Sequence, residues 1–166
     1  MREIPLTQGQ VALVDDEDYE DLNQFKWYAH WHRHTKSFYA ARGVRLTNGK
    51  MRQELMHRRI LGLKHGDKRQ CDHIYHKTLD NRRDRIRIVT PGENTHNRYC
   101  KGYSWDRARH KFLAQIKVGG INKHLGYYDT PAEARAAYLA AKPIYHPTAP
   151  LSARIIHVIA IVLVVL

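Results

Sequence analysis

The chain has 166 residues, with 28 Lys and Arg, 16 Asp and Glu, and 43% hydrophobic residues. That apolar content is enough for a packed core and excludes a disordered chain, and the length suits one ordinary domain or two small ones. A formal net charge of +12 points to an anionic partner, nucleic acid first and an acidic membrane surface second, while two Cys, Cys71 and Cys100, exclude a disulfide framework and a four-Cys zinc site.

The opening Met1-Arg2-Glu3-Ile4-Pro5 has no apolar core of a signal peptide, so a reducing, cytoplasmic setting is the default. Val11 to Val14 reads as a short apolar strand. Asp15, Asp16, Glu17, Asp18, Glu20 and Asp21 then concentrate acid in one stretch, read as a solvated helix or turn with its acids at the positive end of the helix dipole. Lys26 to His34 and Ser37 to Leu46 are strand-like runs rich in aromatic and β-branched residues. Thr47-Asn48-Gly49-Lys50 carries the Asn-Gly hairpin turn signal. His30, His32 and His34 alternate, so a strand puts them on one face. With no further ligand spaced to join them, they read as a basic, half-exposed strand rather than a metal site. Arg52 to Leu63 reads as a strand end followed by a short helix.

Cys71-Asp72-His73 closes a strand, a polar loop runs from Ile74 to Asp84, and Arg85 to Val89 is the next strand. Thr90-Pro91-Gly92-Glu93 and Thr130-Pro131-Ala132-Glu133 share one helix-start device: Thr at the N-cap, Pro at the first helical position and Glu at the third. The helices run from about Pro91 to Arg98 and from about Pro131 to Lys142, the second with Ala134, Ala137, Tyr138 and Ala141 on one face. Between them lie strands at Gly102 to Trp105, Phe112 to Val118 and Lys123 to Tyr128. The order predicts an α+β protein.

Phosphodiester hydrolysis needs a base for water and a hard cation at the phosphate. His73 titrates near neutrality and suits the base. The Asp72 carboxylate and the Asn94 carbonyl oxygen suit magnesium or a similar divalent ion such as manganese, which takes few protein ligands and keeps waters. Cys71 reads as a small apolar strand residue and His57 as a packing residue.

Met56-His57-Arg58-Arg59-Ile60-Leu61-Gly62, Cys71-Asp72-His73, Leu79-Asp80-Asn81-Arg82-Arg83, Arg87-Ile88-Val89-Thr90-Pro91, and then Asn94 and Asn97, together resemble an HNH endonuclease of the phage and intron homing type, over residues 1–98. The resemblance implies a ββα-metal nuclease domain with a β-rich N-terminal part. It implies His73 as general base, Asp72 and Asn94 as metal ligands, a double-stranded DNA substrate, and a bacterial or phage-infected cytoplasm. Asn97 either assists at metal or DNA or is a solvent-exposed Asn in the last turns of the helix. The family carries an Asn that braces the loop under the catalytic His; along the pattern it falls at position 85, where this chain has Arg85. A guanidinium has only donors. Two readings follow: an active nuclease with Arg85 turned to phosphate, or a DNA-binding protein impaired in catalysis.

Lys101 to Trp105, Lys111 to Ile116, His124 to Thr130, Glu133-Ala134 and Ala136 to Tyr138 are similar to the Apetala-two, or ethylene-response-factor, DNA-binding domain, over residues 99–146. This implies a three-stranded antiparallel sheet packed on one helix, its other face in a major groove about 12 Å wide. Phe112, Ala114, Ile116 and Val118 alternate onto the helix side, leaving Leu113, Gln115 and Lys117 on the other. By resemblance, Gln115, Lys117 and His124 face the groove, with Arg107, Arg109 and Lys111 near the first hairpin.

Residues 147–166 form a tail ending in an almost unbroken apolar run from Ile155 to Leu166. Twelve helical residues span about 18 Å, short of a bilayer core of about 30 Å, so no membrane anchor is read. Nothing marks a protein partner, and the chain reads as a monomer.

Overall fold

A computed structural model describes residues 1–149, and the apolar run 155–166 lies outside them. The protein is α+β, with small antiparallel sheets and four helices among the described residues. It divides into two compact units, Met1–Pro91 and a second beginning at Gly92.

In the first unit, β1 (Arg2–Pro5) and β2 (Val11–Val14) form an antiparallel hairpin whose turn places Gln8 and Gly9 at positive φ. Helix α1 (Asp16–Asn23) follows, with Asp16, Glu17 and Asp18 in its first turn, where the dipole favours acid. The acidic run is more than a solvated segment. Arg83 forks onto Asp18 at 2.6 and 2.9 Å and donates its backbone N–H to Asp15, while Arg59 forks onto Asp21 at 2.7 and 2.8 Å. Asp18 is buried. The sequence reading is therefore corrected: with so many arginines in the unit, one face of α1 is a docking surface for guanidinium.

Strands β3 (Tyr28–His32), β4 (Ser37–Arg45) and β5 (Met51–Leu55) form a sheet in that order. The Asn-Gly turn joins β4 to β5, with Asn48 accepting from the Lys50 N–H and Gly49 at φ +80°. Strand β3 ends at His32, so His34 lies beyond it and the three alternating histidines do not share one strand face. The short helix α2 (Met56–Ile60) follows β5 and buries Met56, His57 and Ile60. Strand β6 (Gln70–His73) pairs antiparallel with β7 (Ile86–Val89) across the 74–85 loop, placing Asp72 opposite Arg87 and His73 opposite Ile86. Ile4, Val14, Leu22, Trp27, Met56 and Ile86 make the core of this unit.

The second unit opens with α3 (Pro91–His96, its first residue closing the first unit). Strands β8 (Tyr103–Asp106), β9 (Lys111–Val118) and β10 (Ile121–Tyr128) form an antiparallel sheet with β9 central. Helix α4 (Pro131–Tyr145) starts at Thr130 with a complete capping box to Glu133. Ala114 and Ile116 of β9 are buried against Tyr138 and Ala141 of α4, so the alternation read from the sequence sets the two sheet faces. β8 pairs only with Lys111 to Ala114 of β9. Beyond them, the Gln115 N–H donates to the Gly102 carbonyl, and the His146 Nε2–H donates to the Lys117 carbonyl at 2.8 Å.

Gly102 has φ +77°, and a Cβ there would overlap the Tyr138 ring. Gly102→Ala is therefore expected to lower stability by at least about 1–3 kcal/mol through overpacking, read as a fall in the urea midpoint followed by Trp105 fluorescence in a variant whose other tryptophans are replaced by Phe.

Candidate active site

The site is built on the 74–85 loop. The Ile74 N–H donates to the Arg85 carbonyl at 2.9 Å and closes the loop base. The middle of the loop docks on β2: Leu13 N–H donates to Leu79 O at 2.9 Å, and Asn81 N–H donates to Leu13 O at 2.8 Å. The Thr78 hydroxyl donates to the Phe38 carbonyl of β4 at 2.6 Å. The β-rich N-terminal part is thus the platform for the loop.

This docking carries Asn81, which is 0% exposed, beneath His73, which is 7% exposed. Asn81 Oδ1 lies 3.2 Å from His73 Nε2. The amide's orientation follows from its other end, where Nδ2 donates to the Leu79 carbonyl at 3.2 Å and lies 3.5 Å from the Met56 sulfur. Oδ1 is then the acceptor, His73 carries its proton on Nε2, and Nδ1 is the basic nitrogen. Burial, the largest influence, pushes the His73 pKa below its ordinary value, outweighing the opposing Asn81 bond and the nearby acids. The ring is therefore neutral at neutral pH, as a base requires.

The His57 ring stands edge-on to His73 with centroids 4.9 Å apart, and Tyr39 approaches both at 5.8 Å. His57 is buried with Nδ1 making no hydrogen bond among the described residues, and burial drives its pKa down to about 3. It packs against His73 as a second neutral ring. Burial raises the Cys71 pKa, keeping the side chain a thiol, in keeping with an apolar strand position.

Asp72 is buried beside His73 on β6, and its Oδ2 accepts from Arg87 at 2.8 and 3.2 Å. Among the described residues, no three His, Cys, Asp or Glu side chains gather as a metal site. The Asp72 carboxylate and the Asn94 carbonyl are each hard oxygen donors of the kind a magnesium-like ion takes. Asn94 lies in α3 and Asn97 just after it, both described with the second unit, and Asn97 is buried.

Arg85 lies at the end of the loop, its guanidinium 5.1 Å from the centre of the Tyr75 ring. The amide that meets His73 comes from Asn81. Asn81 lies within the motif Leu79-Asp80-Asn81-Arg82-Arg83, whose spacing alone assigns it no role. The available signal was that Asn81 is the one amide in the charged run 80–85.

In the second unit, Gln115 sits opposite His124 and Lys117 opposite Asn122, so these four share the sheet face turned away from α4. Lys117 and His124 are exposed. Arg107 and Arg109 are exposed in the β8–β9 turn. Arg109 pairs with Asp106 and lies over Tyr127 at 4.8 Å, and Lys111 pairs with Asp129 at 3.0 Å.

Comparison with protein families, with curated proteins and with solved structures finds no match.

Two outcomes are expected. Imidazole nitrogen NMR of His73 should show the Nε2-protonated tautomer, and Asn81→Ala should give a mixture; an unchanged spectrum would refute the brace. His57 and His73 both fold with lowered pKa values, so the unfolded chain binds more protons below about pH 6.5. Stability is full above that pH and falls toward pH 3, by up to about 1.4 kcal/mol per pH unit for one histidine. In denaturant titrations across this range, His57→Leu should flatten the slope.

Proposed function

We propose that the chain is a metal-dependent DNA endonuclease of the HNH type carrying an Apetala-two-like module that holds double-stranded DNA. The observation that carries this reading is a buried, neutral His73, fixed through Nε2 by Asn81 so that Nδ1 is the basic nitrogen. His73 takes a proton from water, the oxygen forms a bond to phosphorus, and the opposite phosphorus–oxygen bond breaks. Asp72 and Asn94 are the residues that would hold a divalent ion, and such an ion would supply charge stabilisation at the leaving oxygen. Gln115, Lys117 and His124 form the proposed reading face, with Arg107, Arg109 and Lys111 along the backbone of the duplex. The proposed domains are 1–98 for cutting and 99–146 for reading, acting as a monomer in the cytoplasm.

One observation favours a second reading, DNA binding without catalysis: Arg87 already holds the Asp72 carboxylate at 2.8 Å. A plasmid assay separates the two. The first reading expects supercoiled DNA to be opened with magnesium, no opening with chelator, and a loss of about 10²–10⁴-fold in His73→Ala, the usual worth of a general base. Retarded mobility in a gel without any cutting is the outcome expected of the second.

A further inference from the structure

We propose that the pocket formed by the 74–85 loop, lined by Tyr75, Lys77, Asp80, Arg82 and Arg85, seats a backbone phosphate of the bound DNA strand, with Arg85 and Lys77 as its ligands. This rests on the reading of the chain as a protein that acts on DNA.

The pocket has a volume of about 320 Å³. Its cations are not equivalent. Arg82 forks onto Asp80 at 2.7 and 2.8 Å, and the two neutralise each other. Lys77 makes no ion pair among the described residues. Arg85 has Asp84 Oδ2 3.1 Å from Nε, but that nitrogen makes no hydrogen bond among the described residues, and Asp84 is 62% exposed, where water screens the pair. The pocket therefore carries two cations with donors to give. The Arg85 guanidinium lies 5.1 Å from the centre of the Tyr75 ring, and a guanidinium is a fork suited to phosphate oxygens.

The fold also places this pocket. The Ile74–Arg85 bond ties Arg85 to the residue after His73, and Asn81 makes the bond to His73. Position 85 is thereby open to a cation. A second cavity of about 420 Å³ shares Lys77, Asp80 and Arg82 and continues past His76 to Phe38, which gives a strand a path along the loop.

The test measures binding of a labelled 20-base-pair duplex to the full chain, with chelator present, across a salt series. Each lost phosphate contact lowers the slope of log affinity against log salt by about 0.9. Arg85→Gln and Lys77→Gln should each lower it by about that amount, the pair by about twice it, and Arg85→Lys should keep the slope. Thermal midpoints confirm that each variant is folded; if Arg85→Gln unfolds, Lys77→Gln decides. Unchanged slopes in folded variants overturn the proposal, even if the wild type cuts plasmid. Lowered slopes in a protein that never cuts sustain the pocket and refute the nuclease reading.

Discussion

Leu13 holds the 74–85 loop from both sides: its N–H donates to Leu79 and its carbonyl accepts from Asn81. No residue between 74 and 85 belongs to a strand or helix, and the loop has to be shaped from outside. Two backbone bonds to β2 do this, and they deliver the Asn81 amide to His73. A backbone contact is indifferent to side-chain identity, so the placement of Asn81 beneath His73 depends on the register of β2. The bridge from Leu13 to the loop is parallel, while β1 pairs antiparallel on the other edge of β2. The first hairpin is thus a bracket whose inner edge is finished by the loop.

Charge completes what the backbone begins. Arg83 reaches Asp18 and Asp15, and Arg59 reaches Asp21, joining α1 to the loop and to α2. Forked guanidinium–carboxylate pairs have a defined geometry and act best where partly buried, as at Asp18. Six of the 16 acids are gathered in and just before α1, and several of them are already neutralised. The cations left outside such pairs, among them Lys77 and Lys117, are those with a field to offer an anion.

Local signals were legible in the sequence. The Asn48-Gly49 turn, the Thr130–Glu133 capping box and the alternation of Ala114 and Ile116 each depend on neighbours a few residues away, and the structure has all three. Helix α4 runs through Pro143 to Tyr145, past the end read at Lys142. Proline removes one donor, yet the His146 N–H still reaches the Lys142 carbonyl at 2.7 Å, and the packed face carries the last turn. The candidate site was legible in its strand, loop, strand and helix order and in the pairing of Asp72 with His73. The partners that tune it were not. Asn81 under His73, Arg87 on Asp72 and Arg83 on Asp18 are contacts across the chain, and 28 cations facing 16 acids allow many pairings that spacing does not rank.

The capped half of β9 has a consequence for self-association. A strand whose neighbour stops at Ala114 presents bare backbone groups from Gln115 onward, and such a rim recruits the matching rim of another molecule. Here the Gly102 carbonyl occupies the Gln115 N–H and the His146 ring occupies the Lys117 carbonyl. Pairing of a second copy onto this stretch of β9 is thereby opposed by a glycine and an imidazole at the two ends of the gap.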